Sequence, residues 1–226
     1  MARIVVIGGH GKVALQLARI LSERGDEVTS VFRNPDHSDD VAASVSGHGR
    51  PVVADIEQLD THALADLLIG HDAVVFSAGA GGGNPARTYA VDRDAAIRVI
   101  DAAAQAGVRR FVMVSYFGAG PDHGVPQDDP FFPYAEAKAA ADAHLRASDL
   151  EWTVLGPGRL TMEPATGRIT IRGAKRSGKD SVSRADVALV AAAAVHDDST
   201  IRRTIEFNNG SDGNGAPIAE ALASRP

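Results

Sequence analysis

Arg3-Ile4-Val5-Val6-Ile7-Gly8-Gly9-His10-Gly11-Lys12-Val13-Ala14 opens the chain with a β-branched apolar run that stops at a glycine turn. A run without alternation reads as a strand buried on both faces. After the turn, Ala14, Leu17, Ala18 and Leu21 recur at helical spacing, with Arg19, Glu23 and Arg24 facing elsewhere. Strand, glycine turn and helix together form the opening of a dinucleotide-binding βαβ unit. Gly8 permits the tight turn. Gly11 removes the Cβ that would keep a pyrophosphate from the helix N-terminus, where free N–H groups and the helix dipole favour an anion. The spacing is G-x-x-G-x-x-A rather than G-x-G-x-x-G. The plainer alternative is a glycine turn joining any strand to any helix.

The chain has 226 residues, a length that fits one α/β domain covering 1–226 with a substantial core. Charged residues make up 23% and hydrophobic residues 44%, which argues for a globular chain and against disorder. A net charge of −6 gives no electrostatic case for nucleic acid or an anionic membrane. With no cysteine there is no disulfide, thiol catalysis or thiolate metal site. No apolar run approaches the roughly 20 residues of a membrane span. These features lead us to expect a cytoplasmic protein.

Further strands are expected at Val28–Phe32, Pro51–Ala54, Ala73–Ser77, Phe111–Ser115, Trp152–Leu155, Ile169–Arg172 and Thr204–Phe207. Helices are expected near Leu59–Leu68, Tyr89–Ala106, Tyr134–Ser148, Val187–Ala194 and Pro217–Ala223, while residues 36–49 carry no clear periodicity. Gly156-Pro157-Gly158 reads as a breaker, and the proline-rich 116–133 stretch as a stiff loop. The alternation predicts a Rossmann-type doubly wound α/β fold: a parallel sheet covered on both faces, with a small C-terminal extension on the substrate side.

Arg33 follows the second strand about 20 residues beyond the glycine turn, where an acid would hold the ribose 2′-hydroxyl of NAD and an arginine a 2′-phosphate. Its planar fork suits phosphate, so NADP(H) is the expected cofactor. Asp55 and Ile56 follow the third strand and could meet the adenine, although Asp55 could equally cap the next helix. Ser77-Ala78-Gly79 ends the fourth strand at the ligand-binding edge, and the Gly81-Gly82-Gly83 run reads as a loop. In Tyr134-Ala135-Glu136-Ala137-Lys138 a phenol and an ammonium lie one helical turn apart. A cation beside a phenol of ordinary pKa near 10 suits it to proton transfer. Ser115, at the end of the fifth strand, could hold a substrate oxygen. The scattered histidines and the acidic pairs at 39–40, 128–129 and 197–198 lack metal-ligand spacing, so no metal is expected. Arg172, Lys175, Arg176 and Lys179 form a basic cluster that reads as a solvated hairpin or an anion contact.

These pieces, together with Phe32-Arg33-Asn34, Val91-Asp92, Gly107-Val108-Arg109-Arg110-Phe111, Trp152-Thr153-Val154-Leu155 and Ser183-Arg184-Ala185-Asp186-Val187, give the chain a resemblance to a known group. It resembles the atypical short-chain dehydrogenase/reductase superfamily, in particular its small NAD(P)H-binding, NmrA-like and biliverdin-reductase-B-like members. The resemblance implies that Gly8, His10, Gly11, Lys12 and Val13 line the pyrophosphate, Arg33 the 2′-phosphate and Ala78-Gly79 the ribose. It places Pro157-Gly158 near the nicotinamide, matches Ser115, Tyr134 and Lys138 to the superfamily's catalytic residues, and brings Lys138 to the ribose. Ala14 stands where a third glycine is usual, and Ser77 where many relatives carry asparagine. Tyr116 competes with Tyr134 as the functional phenol. The expected function is NADPH-dependent reduction of a small carbonyl, quinone, flavin or related acceptor. The rival is a non-catalytic NADP(H) sensor that engages a regulatory partner protein. The alanine-rich helices could also pack on a second copy of the chain.

Overall fold

The computed structural model describes every residue except 46, 48, 82, 172–180, 210–214 and 225–226. β1 (Arg3–Ile7) has Ile4 to Ile7 wholly buried and sits mid-sheet, between β2 (Glu27–Phe32) and β4 (Ala73–Phe76). α1 (Lys12–Glu23) joins β1 to β2, and Gly25, at φ +89°, ends it in the left-handed region glycine tolerates. The edge strand β3 (Arg50–Val53) follows α2 (Ser38–Ser44), and α3 (Thr61–Leu68) leads into β4. Beyond lie α4 (Pro85–Thr88), a π-helical segment Tyr89–Ala95, α5 (Ala96–Gln105) and β5 (Arg110–Val114). Next come α6 (Phe132–Ala147), β6 (Glu151–Pro157), β7 (Arg159–Thr161), β8 (Arg168–Ile171), β9 (Ser181–Ser183) and α7 (Arg184–His196). β10 (Arg203–Asn208), β11 (Ala216–Pro217) and α8 (Ile218–Ala223) close the chain.

The main sheet runs β11-β8-β10-β6-β5-β4-β1-β2-β3 among the described residues, parallel from β3 to β10 and antiparallel at β8 and β11. The 3-2-1-4-5-6 order within it is that of a Rossmann-type fold, so the expected doubly wound architecture is present. One core layer packs α1, α7 and α8 on one face of the sheet, and a second packs α3, α5 and α6 on the other. In register, Ile7 lies beside Phe76, Phe76 beside Met113 and Val114 beside Leu155. The carboxyl ends of β1, β4, β5 and β6 therefore meet along one edge. That edge carries the site.

The structure departs from the sequence reading in four places. Residues 38–44 are helical although only Val41 and Ser44 are buried, so no apolar stripe announces the helix. The helix expected from Tyr89 starts at Pro85, capped by the Asn84 side chain on Arg87 N, and passes through the π segment before becoming regular. β6 continues through Gly156 and Pro157. A Cβ on Gly156 would lie 2.9 Å from Glu206 Cγ, so glycine lets β10 and the chain after β5 approach, and Pro157 accepts from Phe117 N at the strand's end. β7 and β9 pair as a small separate parallel sheet that periodicity did not reveal. The basic cluster at Arg172, Lys175, Arg176 and Lys179, and Gly82 of the glycine run, lie outside the described residues.

Candidate active site

Gly8 takes φ +89°, and a Cβ on it would lie 2.6 Å from the Ala78 Cα. No other residue fits there without moving β4's exit. Gly11 N donates to Gly8 O, closing the turn, and a Cβ on Gly11 would meet that oxygen at 3.1 Å. Gly11 caps α1 without using a side chain, which leaves the helix N-terminal N–H groups facing the turn. The turn floors a cleft of about 280 Å³ whose walls include His10, Arg33, Asp55, Ile56, Ala78 and Gly79. Its floor is bare backbone that lets an anion approach closely. Lys12 is exposed at the start of α1, and Val13 is buried beneath it, so any contact they make with a pyrophosphate runs through their backbone N–H groups.

The Arg33 end of this cleft is charged. Arg33 Nη1 donates to Glu57 Oε1 at 2.7 Å, and Arg87 Nη2, from α4, donates to the same oxygen at 2.8 Å. Arg87 and Glu57 were not singled out from sequence, because each reaches the site across a tertiary contact. His10 stacks on His37 with ring centroids 3.6 Å apart, and its Nε2 lies 3.2 Å from Asp40 Oδ2. Asp55 accepts from Glu57 N, whereas Asp60 caps α3 by accepting from Ala63 N. The helix-cap alternative for Asp55 is thereby removed, and Asp55 and Ile56 lie in the cleft wall.

On the other side of the β4 exit, a second cleft of about 500 Å³ is walled by Tyr116, Phe117, Phe131, Tyr134, Pro157 and Gly158, with Arg159 and Asn208 at its border. Tyr116, Phe131 and Tyr134 pack as a mutual cluster with centroids 5.2–5.6 Å apart. Both tyrosines thus belong to one wall. Burial raises the acid pKa of each, and the Asp142 carboxyl adds to the effect. For Tyr134 the rise is large, with Asp92 contributing as well.

Lys138 lies one turn along α6 from Tyr134 and is only 1% exposed. Its Nζ donates to Val114 O at 2.9 Å, touches Met113 Sδ at 3.3 Å and sits 5.7 Å from the Phe76 ring centre. Ser115 is buried, and its Oγ lies 2.5 Å from Asp142 Oδ2. Asp142 is a further residue to which the sequence reading assigned no role. So is Asp92, which the π segment buries where it accepts from Ala80 N at 3.0 Å. Burial raises the pKa of both carboxyls, and Lys138 partly opposes the rise. No cluster of metal-ligating side chains occurs among the described residues.

A glycine-floored anion cleft at the β1–α1 turn, beside a tyrosine–lysine helix face, defines a dinucleotide-binding protein of the Rossmann class. The chain matches the NAD(P)H-binding family model over residues 8–198 and belongs to that family. It is 35% identical over 242 aligned residues to a UPF0659 protein of Schizosaccharomyces pombe, covering 99% of this chain and 94% of the relative. YhfK of Bacillus subtilis, described as an uncharacterized sugar epimerase, is 34% identical over 229 residues, covering 97% of this chain and 98% of YhfK. Among solved structures, a candidate NAD-dependent epimerase/dehydratase of Bacillus halodurans is 34% identical with a TM-score of 0.86, covering 98% of this chain and 99% of that one. The chain is therefore an NAD(P)H-binding protein of an oxidoreductase- and epimerase-like family. No helix among the described residues is long and apolar enough to cross a membrane.

Proposed function

We propose that the chain is an NADPH-dependent reductase that transfers hydride to a small planar carbonyl, quinone, flavin or related acceptor, with Tyr134 as proton donor. The observation that carries this reading is the aromatic cleft beside the glycine turn, with the Tyr134 phenol in its wall against Tyr116 and Phe131. Burial, with the Asp92 carboxyl, favours the phenol's neutral form. A neutral phenol gives a proton to an oxygen gaining negative charge.

Gly8, His10 and Gly11, with the N–H groups of Lys12 and Val13, suit the pyrophosphate, and Ala78 and Gly79 the ribose. Asp55 and Ile56 suit the adenine. Arg33, supported by Arg87, suits a 2′-phosphate, and Pro157 and Gly158, in the wall of the second cleft, suit the nicotinamide. The bound nicotinamide supplies the hydride. Lys138 has three donors, of which one goes to Val114 O and one faces Met113 Sδ, leaving a third for ribose hydroxyls. The aromatic walls of the second cleft suit a flat acceptor and keep water from its reacting oxygen.

The test is NADPH consumption against quinones, flavins and aldehydes, with Tyr134→Phe alongside. The substitution should lower turnover by about 100-fold or more while NADPH affinity holds. Unchanged turnover would remove Tyr134 from the mechanism. Tight NADPH binding without turnover of any acceptor would instead support a regulatory role.

A further inference from the structure

Two carboxyls, Asp92 and Asp142, are buried beside one buried ammonium, Lys138. A single cation compensates only one carboxylate, so their local donors decide which keeps its proton. Asp92 accepts from a backbone N–H, Ala80 N, a donor that cannot reverse its direction. Asp142 faces only a hydroxyl: Oδ2 lies 2.5 Å from Ser115 Oγ, and Oδ1 is buried with no hydrogen-bond partner among the described residues. The Tyr116 hydroxyl, equally buried, has no partner either and gives Oδ1 nothing. Arg146, one turn further along α6, spends its guanidinium at the exposed side on Thr204 Oγ1. An ionised Asp142 would leave a bare anionic oxygen in this enclosure, at far greater cost than a neutral carbonyl oxygen.

We propose that Asp142 is the uncharged member of the pair and donates its acid hydrogen to Ser115 Oγ, which leaves the serine's own proton for the acceptor oxygen. Burial, which opposes ionisation of Asp142, acts in the same direction. Asp142 is thus a positioning residue: it touches no acceptor and sets which way Ser115 donates. Tyr134, Lys138 and Asp142 recur every fourth residue on α6, so one helix face carries proton donor, cation and orienting acid together. The direction of the Asp142–Ser115 bond belongs to the protein alone. Only its consequence for turnover rests on the reductase reading.

Infrared difference spectra of the full chain with NADP⁺ at neutral pH, native against Asp142→Asn, test the first point. A carbonyl band of a protonated carboxylic acid should be present in the native chain, absent in the variant, and shifted in Ser115→Ala. In turnover, Asp142→Asn keeps a donor in its amide and should stay within a few-fold of native. Asp142→Leu should lower kcat about 100-fold with little change in KM, as Ser115→Ala does, and the double variant should be no worse than Ser115→Ala. No acid band at neutral pH overturns the proposal, as does a loss in Asp142→Asn equal to that in Asp142→Leu. If Asp142→Leu fails to fold, the native and Ser115→Ala spectra still decide. An acid band without turnover of any acceptor supports the bond direction and defeats the reductase reading instead.

Discussion

Replacing Arg33 with glutamate turns a cation into an anion at the adenosine end of the first cleft, where Arg33 and Arg87 hold one Glu57 oxygen at 2.7 and 2.8 Å. Two guanidinium groups that share one oxygen are close enough to share a phosphate oxygen. A hydrogen bond to a charged group contributes about 1.5–3 kcal/mol. The Arg33 side chain is 51% exposed, so solvent screening keeps it at the lower end, about 1.5 kcal/mol or roughly tenfold in affinity. Glutamate adds repulsion against the phosphate dianion of about 1–2 kcal/mol at an exposed site, for a total near 3 kcal/mol, or roughly 100-fold. NADH lacks the 2′-phosphate and should lose only a few-fold. Fluorescence titration of both reduced cofactors at low and high salt measures the difference, which should shrink as salt rises. Glu57→Gln frees both arginines and should tighten NADPH alone. Equal losses for NADPH and NADH in Arg33→Glu, or weaker NADPH binding in Glu57→Gln, would refute the assignment of this corner to a 2′-phosphate.

Gly8→Ala meets both a positive φ and a Cβ contact of 2.6 Å with the Ala78 backbone, so it should cost about 1–3 kcal/mol in a denaturant melt and weaken both cofactors alike. Arg110, whose acidity burial increases, donates to Glu151 O, Thr153 Oγ1, Ala194 O and Thr200 Oγ1. Arg110→Leu should therefore destabilise by about 3 kcal/mol in the same melt without changing NADPH affinity in the folded protein. Asp142 gives a pH signature. Its folded pKa is raised above 3.8, so its contribution to stability is full below that pH and is lost as pH rises through the folded value. Asp142→Asn escapes the loss, and its Tm advantage over the native chain should grow from near zero around pH 4 to several degrees near neutrality. A pH-independent offset would contradict this.

The architecture was legible wherever one local rule decided the element. β1, β4 and β5 are buried on both faces and so appear as unbroken apolar runs, and α1 shows a clean stripe over Val13, Ala14, Leu17, Ala18 and Leu21. α2 was missed because it buries so little, and the end of β6 because Gly156-Pro157 breaks a strand in isolation. There a neighbour's close approach outweighs local preference. The site divides the same way. Gly8, Gly11 and Arg33 sit at fixed offsets from one strand–turn–helix unit and could be found by counting. Glu57 is tied to Arg33 over 24 residues and to Arg87 over 30, a link no spacing rule supplies.

Asp142 was hidden for a different reason. An aspartate in an alanine-rich helix reads as a solvated side chain, yet this one is wholly buried. Ala135, Ala137 and Ala141 on the same helix are also fully buried. Their small side chains let α6 settle close to the π segment and the end of β5, which encloses any polar group on that face. The signal was available in the Tyr134–Lys138 spacing, which continues by one more turn to Asp142. A tyrosine and a lysine alone on a buried face would place a cation beside a phenol and lower its pKa. Burial, with Asp92 enclosed beside it, raises the phenol's pKa instead. The enclosed face thus keeps the phenol protonated at rest, and a nearby positive charge has to favour its anion for the proton to leave.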